Sequence, residues 1–289
     1  MDNVYIFTEG YDCGLILKKC LESFFKYHNI TVNVFGREKD FKEIGHFDNV
    51  VYHDLSYDNE LQQCFNSGHL GTAHIFTKVI KELSGDKKYI IHFDSDVIFR
   101  AESMSLLIDK LNEGYDLVGP RRCYKNNLNG RTDLSNLQDV TQTYFYGFNK
   151  EKITNYDFTT LRTMVVGFYT PLGHPILDYF DPVSFDILNN NGKPYYLDFN
   201  KVGAQEENGN RINKYGDISR DCDFGDNVIH FAGIGSGMKF YNVGRGNVPV
   251  SYYDWAIKRY ALYMKLMYDV VINPDLIDDN AYEIIKPKL

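Results

Sequence analysis

The sequence predicts an α/β fold in which a mostly parallel β-sheet is flanked by helices on both faces. Two observations predict it. Over the first 120 residues, short apolar runs typical of buried strands alternate with amphipathic runs of helical period. One of the apolar runs, Tyr89–Phe93, is apolar on both faces apart from His92, as in an internal strand of a parallel sheet. Strands separated by helices form such sheets because the connecting helices cover both faces.

The predicted elements follow one another along the chain. Apolar and β-branched runs predict strands at residues 4–7, 30–35, 49–52, 89–93 and 116–119. Apolar residues spaced three or four positions apart predict helices at residues 13–27, 70–83, 101–112 and 251–272. Thr8-Glu9-Gly10 is predicted as a turn after the first strand, and Ser84-Gly85-Asp86 as the end of the second helix. Between about residues 120 and 230, frequent Gly, Asn, Tyr and Asp predict short strands and long loops.

Composition excludes several classes of protein. The net charge is −8, and the sequence has no basic patch of the kind that binds nucleic acid. The five cysteines are scattered, so we expect neither a disulfide framework nor a cysteine zinc site. The N-terminal residues carry no basic leader and no apolar run reaches about 18 residues, so we expect no signal peptide and no transmembrane segment. These features together predict a cytoplasmic protein.

The segment Asp94-Ser95-Asp96 directly follows the apolar strand at Tyr89–Phe93. In extended chain, residues i and i+2 point to the same side, so both carboxylates can reach one ligand. Two adjacent carboxylates repel each other unless one is protonated or a cation lies between them. Mg²⁺ or Mn²⁺ fits two carboxylates together with phosphate oxygens. The pair therefore predicts a metal site that binds a diphosphate, whereas the alternative is a simple cap of a strand end or helix.

The carboxyl ends of parallel strands are where α/β sheets bind their ligands. Three polar segments follow predicted strands, and we expect them to converge: Thr8-Glu9-Gly10, His53-Asp54 and Asp94-Ser95-Asp96. Haloacid-dehalogenase-like phosphatases also place an Asp-x-Asp after a strand, but after their first one, and a hydroxyl residue usually follows closely. Here Val97-Ile98-Phe99 follows instead, which disfavours that alternative.

A second informative stretch begins with the short apolar run that delivers His230. Gly233, Gly235 and Gly237 follow within seven residues, and glycines at this density let backbone amides approach an anion closely. A neutral imidazole can serve as a third ligand to Mn²⁺. His230 is therefore a candidate metal ligand, although a histidine at a strand end is more often structural.

Together these motifs resemble the GT-A fold glycosyltransferases, and especially the glycogenin-like family of retaining galactosyl- and glucosyltransferases. The resemblance rests on Thr8-Glu9-Gly10, on the helix and strand leading into Asp94-Ser95-Asp96-Val97-Ile98-Phe99, and on His230-Phe231-Ala232-Gly233. It covers about residues 1–245. It implies that Asp94, Asp96 and His230 bind Mn²⁺ and the nucleotide diphosphate. It also likens Asp186-Ile187-Leu188-Asn189 to a family segment whose Asp faces the donor sugar or the acceptor.

The sequence departs from the family pattern at two positions. Ser236 stands where the family has a phosphate-binding Lys, a role that Lys239 or Arg245 could take. Phe185 replaces a Gln that usually precedes the Asp-x-Leu-Asn segment, so the stereochemistry of transfer is left open. An inverting enzyme would need an acidic base, for which the candidates are Asp181, Asp198, Glu206, Glu207 and Asp223.

The resemblance implies a complete donor site. Thr8, Glu9 and Tyr11 would contact the base or ribose of a UDP-sugar, and Arg121 or Arg122 would face the donor. Residues 233–237, with Gly233, Gly235 and Ser236, would close over the phosphates. A glycan, glycoconjugate or protein acceptor would enter from the irregular half, beside Asp186. The predicted organisation is one GT-A domain at 1–245, with a nucleotide-binding half at 1–120 and an acceptor-binding half at 121–245, followed by a helical extension at 246–289.

Two rival functions share some of these features. A nucleotidyltransferase that makes a sugar nucleotide uses a similar sheet and carboxylates, but normally has a basic, glycine-rich loop after its first strand. Thr8-Glu9-Gly10-Tyr11-Asp12-Cys13-Gly14 lacks the basic residues, which argues against it. A non-catalytic carbohydrate-binding protein would be free to lose the carboxylates and the histidine, and all three are present.

Overall fold

The computed structural model describes residues 2–11, 13–59, 69–122, 140–141, 143–153, 180–197, 205–207, 210–212, 222–224 and 227–230. The strands are β1 (Val4–Glu9), β2 (Val32–Gly36), β3 (Val50–Asp54), β4 (Tyr89–Phe93), β5 (Val97–Phe99), β6 (Leu117–Arg122), β7 (Val140–Thr141), β8 (Phe145–Asn149), β9 (Pro194–Leu197), β10 (Gln205–Glu207), β11 (Asn210–Ile212), β12 (Cys222–Phe224) and β13 (Val228–His230). The helices are α1 (Gly14–Phe25), α2 (Glu38–Ile44), α3 (His69–Lys78), α4 (Ser105–Asn112) and α5 (Asp181–Asn189). A π-helical turn (Val79–Leu83) continues α3, and a short 3₁₀ helix (Lys150–Lys152) follows β8.

One mixed sheet of eight strands forms the centre of the fold, in the order β3-β2-β1-β4-β8-β6-β7, with β9 beside β6. The first four strands in this order are parallel, as the alternating sequence pattern predicts. Beyond β4 the sheet is no longer purely parallel, because β8 runs antiparallel to both β4 and β6. A second, three-stranded sheet has the order β12-β13-β5 and is antiparallel throughout.

Helices cover both faces of the large sheet, which confirms the predicted fold class. On one face α1 and α4 pack on a core that includes Ile6, Ile91 and Phe93. On the other face α3 and α5 pack on a core that includes Phe7 and Ile90. Consecutive residues of β1 and β4 alternate between these two cores, as successive residues of a strand must. Both central strands are therefore buried on two sides, which explains their nearly continuous apolar runs.

Several predicted boundaries and elements were wrong. Thr8 and Glu9 are the last residues of β1 and not part of a turn. The helix predicted from residue 101 begins at Ser105. The nine-residue α5 lies where short strands and long loops were predicted, and no element was predicted at α2; β8 is one of the short strands expected between residues 120 and 230. The helix predicted at residues 251–272 lies outside the described residues. No helix among the described parts of the chain combines the length and the apolar character needed to span a membrane.

Candidate metal centre

The two aspartates lie where the chain leaves one sheet and enters the other. Asp94 follows the carboxyl end of β4, and its backbone N–H donates to the Tyr144 carbonyl at 2.9 Å, which extends the pairing of β4 with the β8 segment. Asp96 directly precedes β5, the first strand of the small sheet. The side chain of Asp94 is 26% exposed and that of Asp96 is 9% exposed. The pair therefore sits at the edge of the core with one carboxylate open to solvent.

His230 reaches the same point from the distal end of the described chain. β13 pairs with β5 in an antiparallel register that sets His230 opposite Val97. Its Nε2 lies 3.3 Å from Asp96 Oδ1 and 3.6 Å from Asp94 Oδ2. One ligand atom from each of the three residues lies within 4.8 Å of the other two. The structure thus brings His230 to two aspartates that precede it by more than 130 positions in the sequence.

Tyr144 fixes the orientation of the His230 ring. The two rings stack with their centroids 4.2 Å apart and their planes 7° from parallel. Tyr144 is buried, and its carbonyl also holds the backbone of Asp94. Nδ1 of His230 is buried without a hydrogen-bond partner among the described residues, so the stack rather than a hydrogen bond there holds the ring plane. Sequence reasoning missed Tyr144, although it begins an aromatic run that is typical of a strand.

A second group of titratable side chains adjoins the first and shares Asp94. It consists of Glu9, His92 and Asp94. His92 Nε2–H donates to Glu9 Oε2 at 2.7 Å, and His92 Nδ1 lies 3.8 Å from Asp94 Oδ1. The hydroxyl of Thr72 on α3 donates to the other Glu9 oxygen at 3.2 Å. The sequence singled out His92 only as the polar exception in an apolar strand, and its position two residues before Asp94 was the available indication.

Two cysteine thiols contact the segment that carries the aspartates. Cys13 directly precedes α1, and Cys20 lies within it. Cys13 donates to the Ser95 hydroxyl at 3.3 Å, and Cys20 donates to the Asp94 carbonyl at 3.7 Å. Burial, and after it the negative charge of Asp96, raises the pKa of the Cys20 thiol well above its usual range. Cys20 therefore remains a neutral thiol and does not compete with the carboxylates as a ligand.

The other residues predicted to contact the base or ribose, Thr8 and Tyr11, lie in β1 and shortly after it. Thr8 is fully buried in β1. Tyr11 is also buried, and the guanidinium of Arg37 lies over its ring at 3.7 Å from the centroid. Gly10 approaches α1 so closely that a Cβ there would lie 2.5 Å from a Leu17 methyl group. The described surface above Tyr11 is therefore formed by Arg37, which the sequence did not single out.

The third segment that was predicted to converge, His53-Asp54, does not contact Asp94, Asp96 or His230 among the contacts of the described residues. His53 occupies the same row of the sheet as Glu9, with Phe35 between them. Its Nε2 bonds to Asn33 Oδ1 at 2.9 Å, and its ring stacks on Phe35. Asp54 accepts hydrogen bonds from Ser56, which lower the pKa of its carboxyl group. Two of the three segments thus converge on one site, and the third forms its own local contacts.

Asp186 is held near the amino end of β4, whereas the three candidate ligands meet at its carboxyl end. It belongs to the last turns of α5, where Asn190 Nδ2 donates to its carboxylate at 3.2 Å and to the Lys152 carbonyl at 3.0 Å. Lys152 follows β8 at the amino end of β4, whereas Asp94 follows the carboxyl end. This placement gives no support to a direct contact between Asp186 and the donor sugar. Asp181 begins the same helix at its opposite end.

Several predicted site residues have no described side chain. Arg121 and Arg122 end β6, Asp181 begins α5, Glu206 and Glu207 lie in β10, and Asp223 lies in β12, but only their backbone is described. Asp198 and the whole stretch after His230 lie outside the described residues, and that stretch contains Gly233, Gly235, Ser236, Gly237, Lys239 and Arg245.

Comparison with known proteins gives a likeness of fold only. No protein-family model matches the chain, and no curated protein matches it in sequence. The galactosyltransferase LgtC in complex with donor and acceptor sugar analogs aligns with a TM-score of 0.44 at 15% identity, over 66% of this chain and 72% of that one. Mouse xyloside xylosyltransferase 1 aligns with a TM-score of 0.42 at 12% identity, over 71% and 88%. A 4-diphosphocytidyl-2C-methyl-D-erythritol synthase from Anaerococcus prevotii aligns with a TM-score of 0.40 at 14% identity, over 68% and 86%. At scores this low the likeness carries no information about what this chain binds.

Proposed function

We propose that the chain is a metal-dependent glycosyltransferase that moves a sugar from a nucleotide-sugar donor, a UDP-sugar, to a hydroxyl group of a glycan, glycoconjugate or protein. The observation that carries the proposal is the convergence of Asp94, Asp96 and His230 at the carboxyl end of an internal strand. That edge is where sheets of this class bind ligands. The resemblance of the same three residues to the metal-binding motif of GT-A glycosyltransferases supports the proposal further.

The donor set fits a divalent cation. Two carboxylates so close together are stabilised by a positive charge between them, and His230 Nε2 faces both at 3.3 and 3.6 Å. A cation that accepts oxygen and imidazole ligands would be held by Asp94, Asp96 and His230 together. Mn²⁺ fits this mixed set better than Mg²⁺, which prefers oxygen ligands alone. The neutral thiol of Cys20 leaves the set without a soft ligand.

The bound cation would neutralise negative charge on the diphosphate leaving group. The protein's part is to hold its ligands in place before the donor arrives. β4 and β5 position the two carboxylates through the backbone, β13 brings the imidazole, and Tyr144 holds its plane. Preorganised charges of this kind stabilise a transition state without reorganising during the reaction.

A catalytic base, if the reaction inverts the anomeric centre, is better sought at the start of α5 than at its end. Phe180, the residue before the helix, packs on Tyr146 with ring centroids 4.0 Å apart, and Tyr146 pairs with His92 in the sheet. Asp181 directly follows Phe180, whereas Asp186 accepts from Asn190, which also contacts Lys152 near the amino end of β4. We propose Asp181 as the first candidate for this role.

Nucleotide binding tests the proposal directly. Wild-type protein is titrated with UDP, GDP or dTDP, each with and without Mn²⁺, and the shift in melting temperature is measured. A ligand present at 100 times its Kd stabilises the folded state by about 2.7 kcal/mol, so a genuine site gives a measurable shift. We expect UDP and Mn²⁺ together to stabilise the protein more than the sum of their separate effects.

Two variants locate the effect. Asp96→Asn removes one ligand charge with almost no change in volume, and it should abolish the joint effect of UDP and Mn²⁺. Asp109→Asn changes an exposed carboxylate on α4 and should behave like the wild type. Equal UDP binding with and without Mn²⁺ in all three proteins would refute the proposed metal site.

Product analysis separates the proposed enzyme from its rivals. A glycosyltransferase hydrolyses its UDP-sugar slowly in the absence of an acceptor, and only when Mn²⁺ is present. Pyrophosphate release from UTP and a sugar phosphate would indicate a nucleotidyltransferase instead. Metal-dependent UDP binding with neither reaction would indicate a carbohydrate-binding protein without activity.

A further inference from the structure

β5 is an edge strand of the small sheet, and one row of its backbone groups points away from β13. β13 pairs with β5 on one side, and the N–H of Arg100 donates to the Asn227 carbonyl within that pairing. Backbone groups alternate along an antiparallel strand, so the N–H groups of Val97 and Phe99 face the opposite edge. No other strand of the described chain pairs with that edge. Because β5 is buried, these N–H groups need acceptors from elsewhere.

Two side chains of α1 provide these acceptors. The N–H of Phe99 donates to the Ser23 hydroxyl at 3.0 Å, and that hydroxyl donates in turn to the Cys20 carbonyl at 2.7 Å. The N–H of Val97 donates to the Cys20 sulfur. Cys20 and Ser23 are both buried, and they lie on one face of the helix because they are three positions apart. They thus take the place of a neighbouring strand along the free edge of β5.

The position of β5 relative to α1 affects all three proposed metal ligands. Asp96 directly precedes β5, so its backbone moves with that strand. His230 lies opposite Val97 in the pairing of β13 with β5, so its position also depends on β5. The Cys20 thiol donates to the Asp94 carbonyl at 3.7 Å, and one sulfur therefore contacts the backbone on both sides of Asp96.

We infer that Ser23 and Cys20 are positioning residues, which clamp β5 against α1 and thereby hold Asp96 and His230 in the arrangement that binds the metal. The inference rests on the proposed metal site, whereas the clamp itself, formed by Ser23 and Cys20, is a feature of the metal-free protein. Without the clamp, β5 would occupy its binding position for only part of the time. Apparent metal affinity falls in proportion to the fraction of molecules in the binding arrangement.

A purely structural role for these two side chains predicts a different result. Loss of a buried hydrogen bond lowers the free energy of unfolding, but a protein that remains folded would then bind its metal as the wild type does. Metal affinity and the free energy of unfolding must therefore be measured separately for each variant.

Amide hydrogen exchange in the metal-free protein, followed by NMR, tests the clamp itself. Ser23→Ala removes the acceptor of the Phe99 N–H, and Ser23→Thr keeps it. We expect the Phe99 amide of Ser23→Ala to exchange about 10-fold faster, relative to the Ile91 amide of β4, than in the wild type. An unchanged ratio in Ser23→Ala would overturn the inference, whether or not the protein binds a metal.

Direct measurement of Mn²⁺ binding tests the consequence for the metal. The loss of the free-ion electron paramagnetic resonance signal is followed while Mn²⁺ is added to the full-length protein in the presence of UDP. We expect Ser23→Ala and Cys20→Ala each to weaken Mn²⁺ binding about 10-fold, at the low end of the range for residues that orient metal ligands. Ser23→Thr and Cys20→Ser keep a hydrogen-bonding group and should stay within about 2-fold of the wild type.

Thr77→Val is the matched control because the Thr77 hydroxyl is also buried but donates within α3, to the Ala73 carbonyl at 3.1 Å. It should lower the free energy of unfolding and leave Mn²⁺ affinity unchanged. If Ser23→Ala does not fold, Cys20→Ala and Cys20→Ser give the same comparison. Wild-type affinity in the folded alanine variants, or an equal loss in Thr77→Val, would overturn the inference while the metal site stands. A wild-type protein that binds no Mn²⁺ with UDP would instead remove the proposed function, and the inference with it.

Discussion

Replacing Tyr144 should weaken metal binding in proportion to what its ring contributes to holding His230. The rings stack at 4.2 Å with planes 7° apart. Aromatic pairs contribute about 0.5–1.5 kcal/mol beyond the area that they bury. If that energy is lost from the metal-binding geometry, Tyr144→Leu should weaken Mn²⁺ binding about 2- to 13-fold. Tyr144→Phe keeps the ring plane and should remain within about 2-fold of the wild type.

The assay is a titration of the protein with Mn²⁺ in the presence of UDP, in which the loss of the free-ion electron paramagnetic resonance signal measures binding. It is combined with denaturant unfolding without metal. Unfolding is needed because a buried Tyr→Leu change also destabilises the fold, by about 0.5–3 kcal/mol. Phe148→Leu supplies the matched control. Phe148 is a fully buried aromatic residue of β8 whose ring packs on Phe76, Tyr146 and Phe180, away from His230.

Three outcomes bear on the reasoning. A selective loss of Mn²⁺ affinity in Tyr144→Leu, with Tyr144→Phe and Phe148→Leu close to the wild type, supports the role of the stack. Equal Mn²⁺ affinity in all four proteins would show that the ring does not orient His230. An equal loss in Tyr144→Leu and Phe148→Leu would trace the effect to general loosening of the fold.

Other changes test the site and its surroundings. Asp96→Asn should slow metal-dependent hydrolysis of the donor about 10²- to 10³-fold in a product-release assay, while Asp109→Asn should not. Burial and the charge of Asp96 raise the pKa of Cys20, so mass spectrometry should find Cys20 unalkylated by iodoacetamide at pH 8 in the folded protein and modified after unfolding. Burial lowers the pKa of His28, so the unfolded chain takes up a proton there before the folded one does. The free energy of unfolding should therefore fall as pH drops below about 6.5, and less steeply in His28→Gln, as denaturant titrations at several pH values would show.

Sequence alone predicts the strands and helices that are determined by the residues within them. β4 and the aspartates after it were predicted at the observed positions because a five-residue apolar run has one arrangement in a two-sided core. The start of α4 was predicted four residues too early. The backbone N–H groups of Ser103 and Met104, just before the helix, donate to His28 Nε2, a partner more than 70 positions away that no local pattern indicates.

Other features depend on contacts that no local pattern carries. β8 runs antiparallel between β4 and β6, and its aromatic residues serve the packing of both faces. Glu9 extends β1 where a turn was predicted, because its backbone pairs with Phe35 and its side chain is held by His92 and Thr72. The separation of Asp186 from the metal ligands follows from the direction of α5, which sequence similarity over four residues does not reveal.

The metal centre ultimately depends on the register of one short strand. Val228 and His230 point to the same side of β13, since residues two apart in a strand do. Val228 is fully buried in the core beside Phe99, and the N–H of Arg100 donates to the Asn227 carbonyl at 2.8 Å, so both contacts fix the pairing of β13 with β5. A slip of one residue would expose Val228 and turn His230 away from the aspartates. The apolar pattern of Val228-Ile229 thus positions a ligand for Asp94 and Asp96, and the buried core and the candidate site are specified by the same pairing.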